Sequence, residues 1–195
     1  WVWFEAMAVS SYLLLAFYRR QPASLEAGIK YLVQSAVGSV LVLVGIAAVL
    51  ADVHTLALSQ IRLLASPSPT LLVAGALFMI GFGVKIAMVP MHTWLPDAHA
   101  QAPSGISAML SGIVIEVGLL ALLRVLAALA GVTDAWSFLL MGFGAMNMLY
   151  GNLLALKQRQ VKRLLAYSSI SQVGYVLLGM GIIFYSHKCG GAQGA

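Results

Sequence analysis

Three ionisable residues stand inside apolar stretches of this chain. Glu5 falls in the run Val2 to Tyr18, Lys85 in the run from about Leu71 toward Leu95, and Glu116 in the run from about Ile106 to Leu129. A charge at the centre of a lipid layer costs at least about 2.5–3.5 kcal/mol on insertion scales. Such residues therefore face a bundle interior, pair with one another, and mark proton relays. Their depths follow from the helical rise of about 1.5 Å per residue. Glu5 lies 14 residues before Arg19, Lys85 lies 10 before Leu95, and Glu116 lies 13 after Pro103. These separations correspond to about 21, 15 and 20 Å from one surface of a hydrocarbon core about 30 Å thick. Two acids and a base are thus expected at similar height, near the midplane, on three helices. Unit charges about 7 Å apart at an effective dielectric near 20 interact by roughly 2.4 kcal/mol. Moving Glu5 toward or away from Lys85 therefore changes whether Lys85 holds its proton. The bland alternative is an ion pair that only fixes helix packing.

Other side chains could extend such a chain of groups. His92 and His99 flank a Trp-Leu-Pro turn, and Ser107 and Ser111 lie on the same run as Glu116. Gln34, Ser35, Ser39, Asn147, Asn152, Ser168, Ser169, Ser171 and Gln172 are further polar groups within apolar runs. Taken singly, such residues are usually interhelical hydrogen-bond partners. The seven-residue separation of His92 and His99 is not a metal-site spacing, and no metal site is expected. Nothing suggests a phosphate loop, a nucleophile with its base, or haem ligation, so no cofactor bound by this chain is expected.

The elements that hold these residues are legible in the composition. Of 195 residues, 61% are hydrophobic and 9% charged, and the mean hydropathy is +0.94. Soluble domains are about 45–50% apolar and about 25% charged. A soluble fold, a disulfide scaffold and a nucleic-acid-binding domain are excluded on that ground. Six runs approach spanning length: Val2 to Tyr18, Ala27 to Leu50, Leu71 to Leu95, Ile106 to Leu129, Trp136 to Leu156 and Leu164 to Tyr185. Lipid cannot satisfy free backbone groups, so helices are required. The fold class is all-α, a polytopic transmembrane bundle of about six helices, with the lipid bilayer as its surroundings. Pro90 removes a donor and should kink or break the third helix. The Pro-rich stretch Met91 to Pro103 should form an ordered re-entrant or capping segment. Glycines within the runs point to close helix packing.

The net charge is +5. Seven of the eleven basic residues (Arg19, Arg20, Lys30, Lys157, Arg159, Lys162 and Arg163) fall on one side, here side A. Arg62, Arg124 and Lys188 fall on side B. The positive-inside rule makes side A cytoplasmic. The run Lys157 to Arg163 should anchor its helix at an anionic surface. Residues 1–195 are read as one partial membrane domain of a larger protein, with 186–195 a disordered or truncated tail. Cys189 is the only cysteine and makes no internal disulfide.

Four stretches together carry a family resemblance. They are Phe4-Glu5-Ala6-Met7; the stretch from Lys85 through Pro90, His92, Trp94 and Pro96 to His99; Ala102 to Gly112; and Val161 to Tyr175. In these motifs the chain resembles the antiporter-like, proton-translocating membrane subunits of respiratory complex I (NADH:quinone oxidoreductase), of energy-converting hydrogenases and of multi-subunit sodium/proton antiporters. The resemblance implies a fragment of a fourteen-helix, inverted-repeat transporter fold, covering its fifth to tenth helices, with a broken helix at Pro90. Broken helices at the midplane are a general transporter device. It implies that Glu5 and Lys85 are the family's fifth-helix glutamate and seventh-helix lysine, the latter the central proton-exchanging residue. Glu116 stands where most members carry lysine or histidine, and Ser111 where some carry histidine. That departure argues against copying a lysine-to-lysine relay. The family's eleventh and twelfth helices are not in this sequence, so this piece alone is not expected to pump.

The expected function is a membrane subunit of a redox-driven proton pump, complex I-like or hydrogenase-linked. It would lack a redox site of its own and assemble with other membrane subunits in a prokaryotic inner membrane. The alternative is a subunit of a sodium/proton antiporter without redox chemistry, with sodium as a second ion. A pure scaffold is the third reading.

Overall fold

The computed structural model describes residues 2–15 and 21–191. The expected loop cations Arg19 and Arg20, the side chains of His187, Lys188 and Cys189, and the tail residues 192–195 lie outside the described residues. Nine α-helices follow one another among the described residues: α1 (Val2–Leu15), α2 (Pro22–Val53), α3 (Leu58–Leu64), α4 (Pro69–Lys85), α5 (Trp94–Gln101), α6 (Ser104–Met109), α7 (Ile115–Ala128), α8 (Ala135–Ala155) and α9 (Val161–Gly191). A π-helical turn, Leu110–Val114, joins α6 to α7. The result is one span, Ser104–Ala128.

Among the described residues, four helices are long and apolar enough to cross a membrane: Pro22–Val53, Ser104–Ala128, Ala135–Ala155 and Val161–Ser186. Phe4–Leu15 and Pro69–Lys85 are shorter apolar helices. These six segments correspond to the six apolar runs of the sequence. The bundle is apolar outside, with Leu43, Leu120, Leu149, Leu153 and Ile183 exposed. Its buried positions include Ser35, Ser39, Lys85, His99 and Asn147. That distribution suits a protein whose outer solvent is hydrocarbon and whose polar groups must find partners inside.

Proline and serine set the helix starts. Pro22 and Pro69 open α2 and α4, where a missing N–H costs nothing. Ser68 caps α4 by accepting from the Leu71 N–H at 3.1 Å. Glycines set the pairings. A Cβ on Gly38 of α2 would meet the Gly81 carbonyl of α4 at 2.9 Å. A Cβ on Gly174 of α9 would meet the Gly144 carbonyl of α8 at 2.7 Å and the Met148 nitrogen at 2.8 Å. Small residues let these backbones approach, as membrane helices without a hydrophobic driving force require.

The third apolar run breaks as expected, with Pro90 inside an interruption that covers residues 86–93. α4 ends at Lys85, and α5 begins only at Trp94. The proline ring excludes the carbonyl four residues earlier, that of Ile86, and disfavours helix at Val89. Ala87 and Met88 are free of both constraints, so the helix ends earlier than the proline alone requires. The Val89–Pro90 peptide is cis, and Ala87 has φ 54°. The stretch Met91 to Pro103, expected as a re-entrant or capping segment, contains the buried helix α5. Pro96 is tolerated there because it lies in the first helical turn. Three further features had no clear sequence signal: the short helix α3, the π turn, and the continuation of α9 past Tyr185.

Replacing Gly174 with alanine should lower the stability of the detergent-solubilised protein by about 1–3 kcal/mol, the usual range for overpacking. Gly179→Ala is the control, since nothing lies within 4 Å of its added Cβ. Denaturant unfolding in mixed micelles followed by circular dichroism should show the first loss and no change in the second.

Candidate functional site

The broken helix carries Lys85 at the last position of α4, with its side chain 4% exposed. Its Nζ stands 3.1 Å from Glu5 Oε1 on α1. The same Nζ donates to Ser35 Oγ on α2 at 3.4 Å and lies 4.9 Å from the centroid of the Phe4 ring. Phe4 in turn meets Phe82 edge-on, with centroids 6.0 Å apart. The other carboxylate oxygen of Glu5, Oε2, accepts from Ser39 Oγ at 2.7 Å. Three elements thus converge on one acid–base pair, with Lys85 buried and Glu5 half-buried. Ser35 and Ser39 face it together because residues four apart share a helix face.

Backbone exposed by a helix break must be satisfied by protein at this depth. Asn147 of α8, fully buried, accepts from the Val89 N–H through Oδ1 at 2.7 Å and donates from Nδ2 to the Ile170 carbonyl of α9 at 3.3 Å. Trp94 Nε1 donates to the Val84 carbonyl at 2.8 Å. Gln34 Nε2 donates to Thr93 Oγ1 at 2.6 Å. At the side A end, Asp97 of α5 pairs with Lys30 of α2 and with Arg163 of α9, each at 3.1 Å. Lys162 Nζ donates to the Ala102 carbonyl at 2.7 Å. Part of the basic run on α9 therefore grips α5 and its end. Asp97 is a site builder that sequence reasoning passed over, and Asn147 was expected only as a polar group within an apolar run, not as the brace of the break. The signals were available: an amide inside an apolar run, and the one acid in the Trp-Leu-Pro turn.

Glu116 does not stand beside this pair. Its helix presents Gly118 to the break: a Cβ there would meet Ile86 Cγ2 at 2.7 Å and lie 4.0 Å from Lys85 Cβ. Glu116, two positions earlier, is turned about 200° away at 3.6 residues per turn. It is exposed and lines a cavity of about 710 Å³ between the α6–α7 span and α9. His99, Ser107, Ser111 and Lys162 line the same cavity. The π turn, Leu110–Val114, contains Ser111 and precedes Glu116, and it widens the helix locally, so plain α-helical spacing misplaces the residues beyond it. His99 Nδ1 is 2.6 Å from Ser107 Oγ, while its Nε2 is buried with no hydrogen-bond partner among the described residues. His92 is buried elsewhere, edge-on to Tyr150 with centroids 5.1 Å apart. The structure thus gathers Glu5 with Lys85, and His99, Ser107 and Ser111 with Glu116, as two separate groups.

An apolar exterior with polar and charged groups gathered inside marks an integral membrane protein. Residues 1–190 match the family model described as NADH:quinone oxidoreductase/Mrp antiporter, TM, and the chain belongs to that family. It is 38% identical over 187 residues to hydrogenase-4 component B of Escherichia coli, covering 93% of this chain and 27% of that protein. It is 34% identical over 195 residues to NADH-quinone oxidoreductase subunit N of Desulforamulus reducens, covering 93% and 41%. Among solved structures, a chain of the membrane-bound sulfane sulfur reductase, an archaeal respiratory membrane complex, superposes with a TM-score of 0.87 at 34% identity, covering 92% of this chain and 38% of that one. A chain of the Mrp complex from Dietzia sp. superposes with a TM-score of 0.84 at 26% identity, covering 92% and 34%. The chain spans between about a quarter and two-fifths of the length of these proteins.

Asn147→Ala should strand the buried Val89 N–H. The expected loss is about 1–3 kcal/mol, the cost of an unsatisfied buried donor. Unfolding of the solubilised protein in mixed micelles measures it.

Proposed function

We propose that this chain is the proton-handling part of a membrane subunit in a redox-driven pump, of the complex I-like or membrane-bound hydrogenase kind. It would work beside other membrane subunits in a prokaryotic inner membrane with its basic loops cytoplasmic. The observation that carries this reading is the ion pair of buried Lys85 with half-buried Glu5 at the end of a broken helix. A lysine enclosed by apolar groups keeps its charge only while an anion answers it. Charge movement elsewhere in the complex that draws Glu5 away would make Lys85 release a proton, and its return would make Lys85 take one up. The second acid, Glu116, borders a polar cavity with His99, Ser107 and Ser111. Protons leaving Lys85 would continue through that group, by a step that crosses the π turn. The electron chemistry belongs to partner subunits, and this chain supplies no redox group.

A sodium/proton antiporter subunit is the second reading, favoured by the likeness to the Mrp complex. The same acid–base pair would then be driven by an ion gradient rather than by electron transfer.

Lys85→Met in the full-length protein, assembled in its complex and reconstituted in vesicles, tests the proposal. Donor-driven proton uptake should fall to background while the complex assembles normally. Unchanged uptake with normal assembly rejects it. Uptake by the wild type that requires a sodium gradient and no electron donor favours the second reading.

A further inference from the structure

The ion pair has a second layer that the proposed function does not use. Ser39 Oγ lies 2.7 Å from Glu5 Oε2 and 2.9 Å from the Ser35 carbonyl oxygen. A hydroxyl has one proton to donate, so these two acceptors compete for it. Both serines are buried, Ser35 at 5% and Ser39 at 8% exposure. One turn before Ser39 on the same helix face, Ser35 turns its own Oγ to Lys85 Nζ at 3.4 Å. Each member of the pair therefore has a hydroxyl partner on α2, and neither hydroxyl belongs to the pair itself.

We propose that Ser35 and Ser39 are positioning residues that let the Glu5–Lys85 pair open and close without stranding a buried polar group. With the pair closed, Ser39 donates to the Glu5 carboxylate, a charge-assisted bond and the stronger of its two options. When Glu5 withdraws, the Ser39 proton swings to the Ser35 carbonyl, the ordinary bond of a serine to the residue four back in a helix. No heavy atom of α2 has to move. Lys85 meanwhile keeps the Ser35 hydroxyl oxygen as an acceptor. α2 is anchored apart from the pair, by Gly38 against Gly81 and by Lys30 against Asp97, so both hydroxyls hold their place while α1 shifts. The inference rests on the proposed role of Lys85 as proton carrier. It adds that closure of the pair, the step in which Lys85 takes up its proton, is strengthened from α2.

The test uses the full-length protein in its complex, in vesicles, with Lys85→Met run alongside. Ser39→Ala should slow donor-driven proton uptake about tenfold, because the closed pair loses a hydrogen bond to a charged group and re-forms less readily. Ser35→Ala should slow it as well, and Ser39→Thr, which keeps the hydroxyl, should restore it. Infrared carboxylate bands assigned to Glu5 by difference against Glu5→Gln should move in Ser39→Ala and return in Ser39→Thr. A serine that merely fills space would leave those bands in place. If Lys85→Met abolishes uptake while both alanine variants pump at the wild-type rate with unmoved bands, the serine role is overturned and the proposed function stands. If Lys85→Met itself pumps normally, both fall.

Discussion

A positive charge buried in a bundle that faces hydrocarbon must be answered, and the arrangement around Lys85 follows from that requirement. Removing one partner of a buried pair leaves an uncompensated charge and typically costs about 3–5 kcal/mol. The pair is therefore strongly specified. Glu5 supplies the anion, Phe4 a ring face, and Ser35 an oxygen. None of these comes from the helix that carries the lysine, so the site exists only when α1, α2 and α4 are docked. A structural bridge would use the same forces. What separates this one is its place at the end of a helix, where the backbone is already free to deviate from helical geometry.

The break is the second constraint, and it is met by long-range bonds rather than by local ones alone. Non-helical backbone at this depth is tolerated only where protein or an enclosed cavity satisfies it. Asn147 does so from α8 and links the break to α9 in the same residue. Asp97 ties α5 to α2 and α9 at the opposite end of the interruption. The interrupted segment is thus braced at both ends, and Lys85 sits at its inner end. The braces on α8 and α9 connect the acid–base pair to the part of the bundle that also borders the Glu116 cavity.

Much of this was legible in the residues. The six apolar runs gave the spans because lipid permits few alternatives to a helix. Glu5 and Lys85 could be paired by depth because the helical rise is regular along straight segments. Glu116 shows the limit of that arithmetic. Depth along a helix is additive, but direction around it is lost once the turn widens, and the π turn at Leu110–Val114 intervenes. The break was legible from Pro90, which lies inside it, but its extent back to Lys85 was not, because Ala87 leaves helical geometry at φ 54° with no proline constraint of its own. Asn147 was visible as a polar residue within an apolar run. Its partner was not, because a hydrogen bond spanning 58 residues of sequence has no local signature.

The central claim is that the Glu5–Lys85 pair handles protons and does not merely hold helices together. The most direct measurement exchanges the two charges, Glu5→Lys with Lys85→Glu, in the full-length protein, and reads both assembly on native gels and proton uptake in vesicles. The attraction is preserved, so the complex should assemble. The groups that take up and release the proton have traded places against Ser35, Ser39 and Phe4, so uptake should be lost. Full uptake by an assembled exchange variant would contradict the account.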